Sequence, residues 1–427
     1  MDLLPWMERW DMLPPAGGTL LCAVSGGRDS VCLLHYLAHM APRCGFSVAA
    51  GHLNHGMRPE AQGDEDFVRR LCRELDVPFY TETVPVYEAA SRWSMGVEEA
   101  GRRARYDFLC RTADAIGAAR IATAHHAQDQ AETVLLNLLR GSGAEGLTGI
   151  PPVRGRIVRP LLQTTRQEID AYLIENRLSH IEDSTNTDIH YARNRLRRQL
   201  WPLLESINPA ATEAISRTAE ILRGENAYLD ALAADWLPPE GTTLPLSQMQ
   251  TAPEALQPRI LRLLLARLPA GKRDVGAVHM EALLALTRQG GGALDLPAGM
   301  QAVCRDGQLR LTMRETPLPE MPLQTGVNHW GDWEITLCRA VPDRITVRPW
   351  HSRDRLDNGR SLKRLFHDAG IPPEARDCMP VICVDGRVAA VYGGTGDTWR
   401  ELSPPCGETI EIMIQKRENH KEDTRKW

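Results

Sequence analysis

Between residues 19 and 162, short apolar runs alternate with stretches whose apolar positions recur every three to four residues. TLLCAV, FSVAAGHL, PFYTETV, ARIATAHH and RIVRPLL read as strands. DSVCLLHYLAHM, DEDFVRRLCREL, VEEAGRRARYDFLCRTADAIG and DQAETVLLNLLRG, which separate them, read as helices. Such alternation predicts an α/β fold with a doubly wound parallel sheet. Ligands of these sheets bind beyond the carboxyl ends of the strands. At the first such end a polar loop, Ser25-Gly26-Gly27-Arg28-Asp29-Ser30, interrupts the apolar run.

The pattern changes further on. A long helix is expected from about Ile189 to Ser206, followed by a mainly helical stretch over 211–290. MQAVCRDGQLRLTMR reads as a hairpin turning at Asp306-Gly307. The proline-rich ETPLPEMPLQTG reads as a linker. A small α+β unit follows, with a helix at SLKRLFHDAG and a second hairpin at Asp385-Gly386. The expected organisation is a catalytic domain over 1–205, a mainly helical domain over 206–315, an α+β domain over 328–415 and a charged tail over 416–427. No internal repeat is evident.

Composition narrows the class. The 427 residues are too many for one core, and the hydrophobic and charged fractions are those of an ordinary soluble protein. No apolar run is long enough to span a bilayer, and the amino terminus lacks a basic n-region, so a cytoplasmic location without membrane contact is expected. The ten cysteines include no CxxC pair, which argues against a disulfide framework or a zinc ribbon. A net charge of −5 does not advertise nucleic acid, yet the basic residues are mostly arginine, with no lysine before Lys272. Arginine is the better fork for phosphate.

A serine and two glycines between strand and helix let backbone N–H groups approach an anion, and the helix amino terminus adds partial positive charge. A Walker loop requires GxxxxGKS or GxxxxGKT, which is absent here. GSGAEG at 141–146 has dinucleotide-loop spacing but follows a helix, and so reads as an ordinary loop. SGGRDS resembles the PP-loop of the ATP pyrophosphatase superfamily, whose fold is of the adenine nucleotide alpha hydrolase type. GHLNHGMRPEAQGDEDFVRRLC, GVEEAGRRARYDFL, TAHHAQDQAETVLLNLLRGSG and EDSTNTDIHYARNRLRRQLWPLL, in this order, resemble the tRNA(Ile)-lysidine synthase family over residues 19–205. RPW, SLKRLFHDAGIPPEARD and MPVICVDGRVAAV extend the likeness into the last domain.

The resemblance implies ATP-dependent ligation of free L-lysine to C2 of the wobble cytidine of an isoleucine tRNA with a CAU anticodon. ATP adenylates the C2 oxygen, lysine displaces AMP, and codon reading switches from AUG to AUA. It implies ATP binding by Ser25, Gly26, Gly27, Arg28, Asp29 and Ser30. Asp129 and Glu132 lie one helical turn apart, where one carboxylate can hold Mg²⁺ against the phosphates and the other can meet the lysine ammonium. Taken alone, the pair reads as a cap and a solvated face. Asp29 is the second expected Mg²⁺ contact. Most family members carry HxxDDxxET at this point, whereas this chain has Gln128 in place of the first aspartate.

Of Arg102, Arg103 and Arg105, the motif position marks Arg105 as the catalytic arginine. His55, His125 and His126 at strand ends, with Asn194, Arg193, Arg195, Arg197 and Arg198, are expected to contact substrate or the tRNA backbone. The HxxH pair His52 and His55 lacks a third ligand for zinc. No obligate protein partner is evident. The nearest alternative is a tRNA thiolase of the same superfamily, against which the lack of paired cysteines counts.

Overall fold

The computed structural model describes residues 1–56, 61–182, 192–271, 274–314, 318–337, 345–356, 359–371, 376–392, 398–402 and 410–416. They form two compact units, Met1–Leu229 and Asp230–Trp427. In the first unit the chain runs through α1 (Leu4–Arg9), β1 (Thr19–Ala23), α2 (Arg28–Cys44), β2 (Ser47–Asn54), α3 (Ala61–Glu74) and β3 (Phe79–Thr83). It continues through α4 (Val86–Trp93), α5 (Val97–Ala115), β4 (Ala118–Ala122), α6 (Ala127–Leu139), α7 (Ala144–Leu147), β5 (Val153–Arg154) and β6 (Ile157–Val158). Then come α8 (Arg166–Glu175), α9 (Ala192–Arg195), a π-helical turn (Leu196–Leu200), α10 (Trp201–Ile207) and α11 (Ala211–Ala234), which runs on into the second unit.

The sheet order is β3-β2-β1-β4-β6-β5, with the first five strands parallel and β5 antiparallel to β6. Successive side chains of β1 face opposite sides. Leu20 and Cys22 pack with Val31, Leu34 and Leu37 of α2, and Leu21 packs with Phe108 and Leu109 of α5. Helices therefore cover both faces, as the sequence pattern predicts. The chain leaves β1 towards β2 on one side and returns to β4 on the other. This makes the carboxyl ends of β1 and β4 the topological switch point.

Several elements differ from the expected ones. The RIVRPLL strand shrinks to Ile157–Val158, because Pro160 has no N–H to continue a ladder. β4 stops at Ala122, which leaves His125 and His126 in the loop before α6. The helix expected over 189–206 is broken by the π turn, where Trp201 N–H reaches back to the Leu196 carbonyl. Pro202 follows at once, and the wider turn spares it the clash a proline makes with the preceding turn. Ile189 lies outside the described residues. Leu196 is buried in the helical seam, whereas Leu203 is exposed.

The second unit contains β7 (Thr243–Pro245), α12 (Leu246–Thr251), α13 (Gln257–Ala266), α14 (Ala277–Gln289), β8 (Gly292–Leu296), β9 (Met300–Arg305) and β10 (Gln308–Met313). The β9–β10 turn holds Asp306 and Gly307 at φ 50° and 72°, as a type I′ hairpin demands. Two further sheets comprise β11 (Met321–Pro322), β12 (Gly326–Trp330), β13 (Trp333–Leu337), β14 (Ile345–Arg348), β15 (Val381–Val384), β16 (Arg387–Val391), β17 (Thr398–Leu402) and β18 (Ile410–Lys416). The turn at Asp385-Gly386 joins β15 to β16, and α15 (Leu362–Asp368) sets Leu362, Leu365 and Phe366 in their shared core. The proline-rich stretch is more than a linker: β11 pairs with β14 at a sheet edge, where Pro322 is tolerated. Residues 417–427 of the charged tail lie outside the described residues. Among the described residues no helix is long and apolar enough to cross a membrane.

Candidate active site

The loop after β1 is held by its own serines. Ser30 Oγ donates to the Gly27 carbonyl at 2.8 Å and accepts from Ser25 N–H at 3.1 Å. Gly27 N–H donates to Ser25 Oγ at 3.3 Å. Gly26 sits at φ +90°, and its carbonyl accepts from Ile181 N–H at 2.9 Å. Gly27 caps α2 without a side chain; Ser30 N–H turns back to the Gly27 carbonyl at 3.1 Å, and the helix ladder offers the N–H groups of Arg28 and Asp29 no acceptor. A Cβ on Gly27 would meet only Ser25 Oγ, at 3.5 Å. The result is an open backbone cradle at a helix amino terminus, suited to a phosphate group. Arg28 turns aside, and its Nη1 binds the Asp170 carboxylate of α8 at 3.0 and 3.3 Å.

Across the switch point, His126 caps α6. Its Nδ1 accepts from Gln128 N–H at 3.2 Å, while Asp129 Oδ2 accepts from His126 N–H at 3.1 Å. Because Nδ1 accepts, the ring hydrogen of a neutral His126 sits on Nε2. That nitrogen faces Asp29 Oδ2 and Asp129 Oδ2, at 3.6 Å from each. Two carboxylates from separate strand ends are thus brought to one imidazole. Burial pushes the Asp29 carboxyl up; His126 opposes the rise and Asp129 adds to it. Burial also disfavours the charged Asp129, but His126, His125, Arg193 and Arg197 outweigh it and hold that carboxyl below its usual range. The site fits Mg²⁺ carried by nucleotide phosphates, since such an ion takes only one or two protein carboxylates. Among the described residues, no group of three or more His, Cys, Asp or Glu side chains could hold a metal alone.

Glu132 is 0% exposed, and both its oxygens are occupied. Arg193 Nε donates to Oε2 at 2.9 Å and Arg197 Nε donates to Oε1. Arg197 Nη2 also binds Asp129 Oδ1 at 2.8 Å, with Arg193 Nη2 3.6 Å from the same oxygen. The two arginines, expected to face tRNA, are therefore committed to the carboxylates, with side chains still 33% and 34% exposed. Arg195 and Arg198 are exposed and Asn194 is half-buried. Local sequence gave no signal for the Glu132 clamp, whose partners lie 61 and 65 residues away.

Arg102 lies over the Tyr106 ring and Arg103 over Trp93, whereas Arg105 Nη2 approaches His55 Nε2 at 3.0 Å. His125 Nδ1 lies 3.0 Å from Thr123 Oγ1. Gln130 is an unforeseen support: it donates to the Thr148 carbonyl at 2.7 Å and accepts from Ile150 N–H at 2.6 Å, fixing the turn that follows the GSGAEG loop. Cys22, Cys32 and Cys72 are buried, and burial raises each thiol well above its ordinary range. Such thiols are poor nucleophiles at neutral pH.

Burial, with neighbouring cations or histidines, pushes His35, His55 and His125 each down to about 4. An unfolded chain binds these protons near pH 6.5, before the folded one does. Stability is therefore complete above that pH and falls as the pH drops from 6.5 to 4. The lowered Asp129 carboxyl adds a further loss below the ordinary carboxylate range. The urea midpoint, measured at intervals from pH 8 to 4, should start to decline near 6.5. A midpoint unchanged down to pH 5 would contradict this assignment.

Comparison with known proteins bears on the same residues. A family described as PP-loop domain matches residues 11–204, and one described as TilS substrate C-terminal domain matches residues 345–402. A tRNA(Ile)-lysidine synthase of Symbiobacterium thermophilum is 34% identical, over 96% of this chain and 97% of that protein. One from Geobacter sulfurreducens is 32% identical over 86% of each. Among solved structures, a U34-tRNA thiolase of Methanococcus maripaludis aligns with TM-score 0.43 at 16% identity, over 52% of this chain and 79% of that one.

Proposed function

The chain belongs to the tRNA(Ile)-lysidine synthase family, and from that premise we propose how its own residues carry out lysidine formation. The protein is an ATP-dependent tRNA-modifying ligase. Its substrates are free L-lysine and an isoleucine tRNA with a CAU anticodon, and its setting is the cytoplasm. The observation that carries the reading is the meeting of Asp29, from the loop after β1, with Asp129, at the start of α6, around His126.

The triphosphate lies on the Gly26-Gly27 backbone at the α2 amino terminus. Asp29 and Asp129 would hold Mg²⁺, which would neutralise phosphate charge when bound. Arg105 lies near the reacting phosphate, where it offsets negative charge developing as the cytidine C2 oxygen bonds to the α-phosphorus and pyrophosphate departs. The lysine ε-amine then attacks C2, the C2–O bond breaks, and AMP leaves. Asp129, kept ionised by its cationic neighbours, orients the lysine ammonium, whose proton passes to solvent as the amine attacks. Glu132 works through Arg193 and Arg197, fixing their cationic heads beside the site. His55, His125, Asn194, Arg195 and Arg198 line the approach of the anticodon loop, whose splayed bases suit recognition of an unstacked cytosine. The last part of the chain, matched as a substrate C-terminal domain, grips the body of the tRNA.

Purified protein incubated with ATP, Mg²⁺ and labelled lysine should label unmodified CAU-anticodon isoleucine tRNA and leave methionine tRNA blank. Asp129→Ala should abolish the labelling. Pyrophosphate release with another tRNA, without lysine transfer, would overturn the assignment.

A further inference from the structure

His55 follows directly after β2, at the carboxyl edge of the sheet, with its ring against α5. A Cβ on Gly101 would lie 3.7 Å from both Nδ1 and Cε1 of that ring, so the imidazole rests on the bare face of the glycine. Arg105 comes one helical turn later and points its Nη2 at His55 Nε2, 3.0 Å away. A guanidinium has donors only, so Nε2 must accept, and the imidazole must be neutral with its hydrogen on Nδ1. Burial, Arg105 and His52 all favour that neutral form. Nδ1 is buried and has no hydrogen-bond partner among the described residues.

Several arginines around this sheet are paired differently. Arg111 is bound to Glu82, Arg120 to Asp11, Arg28 to Asp170, and Arg193 and Arg197 to Glu132. In each of those pairs a carboxylate offsets part of the arginine's charge. Among the described residues, Arg105 has no carboxylate within ion-pair distance, and it remains exposed.

We infer that His55 is a positioning residue for Arg105: a neutral acceptor that aims the guanidinium while leaving its full charge for the adenylyl-transfer step. A carboxylate at the same place would aim it equally well and quench it. The inference rests on Arg105 being the arginine that faces the reacting phosphate.

The test compares His55→Ala, His55→Gln, His55→Asp and Arg105→Ala, reading kcat and KM for ATP in single-turnover pyrophosphate release with the tRNA bound. Arg105→Ala should lower kcat by about 10²–10³, the loss typical of removing one preorganised electrostatic donor. His55→Ala should lower kcat by roughly tenfold or more with little change in KM, the mark of an interaction made in the transition state. His55→Gln, whose carbonyl can accept from Arg105, should recover part of that loss. His55→Asp should stay as slow as His55→Ala although it restores a partner. If the alanine variant melts early, the contrast between glutamine and aspartate, both of which refill the site, decides. Full activity of Arg105→Ala would overturn the reading of Arg105 and the inference with it. An inactive Arg105→Ala beside a fully active His55→Ala would overturn the inference alone. So would an aspartate variant that outpaces the glutamine one.

Discussion

Replacing Glu132 by glutamine should lower both the stability and the activity of this protein. Glu132 is wholly buried, and each of its oxygens accepts from a different arginine. Glutamine keeps one acceptor but turns an NH₂ group towards a guanidinium, so two donors face each other. Arg193 and Arg197 are then left with Asp129 as their only described carboxylate partner. Removing one partner of a fully buried ion pair costs several kcal/mol. Because these arginines are a third exposed, the loss here should be about 3 kcal/mol. For a unit spanning Met1–Leu229 that corresponds to a melting point lower by roughly 6–12 °C. At temperatures where the variant is folded, mis-set guanidiniums should still cost about 10²–10³ in rate. Glu132→Asp keeps the charge and should recover part of both losses. Thermal melts and lysine transfer at 25 °C, measured on the same preparations, check the prediction. Unchanged melting together with unchanged transfer would remove Glu132 from the site.

That clamp also marks how far the sequence could be read. The sheet was legible because β1 alternates Leu20 and Cys22 against Leu21, and because α2, α3, α5 and α6 keep helical spacing. The two hairpins were legible because Asp306-Gly307 and Asp385-Gly386 can take two successive positive φ angles. Of the candidate site, the serine-glycine loop stands out locally as a polar break at a strand end, whereas Asp129 and Arg105 are singled out only through the family resemblance. The rest depends on distance in three dimensions. Nothing near Arg193 or Arg197 shows that each folds back on α6, and nothing near Arg28 shows its turn towards Asp170. Some signals were present but unread. Thr165 and Glu168 form a capping box that announces α8, and Pro202 announces the break in the arginine helix.

Gly26→Ala should cost about 100-fold in ATP affinity, through the backbone rather than through any lost contact. At φ +90° a side chain is strained by roughly 1–3 kcal/mol. Its Cβ would also sit 2.6 Å from Ile181 Cδ1 and 3.3 Å from Val68 Cγ2. Ile181 Cδ1 is the end of a rotatable side chain and can turn aside at modest cost, so the positive φ of Gly26 carries most of the penalty. The loop must therefore shift, and a displacement near 1 Å at a preorganised site is worth about 10². Gly26→Ala/Ile181→Ala relieves the collision but not the φ strain, and should regain only part of the affinity. Gly27→Ala provides the contrast. Gly27 has φ −72°, and its Cβ would meet nothing closer than Ser25 Oγ, so the free protein should keep its melting point. If phosphates lie on this backbone, that same Cβ projects into their place and weakens ATP binding without weakening the fold. Calorimetric titration with ATP alongside thermal melts separates the two cases. Loss of both properties at Gly26, and of binding alone at Gly27, places the nucleotide on the loop. Wild-type ATP affinity in Gly26→Ala would place it elsewhere.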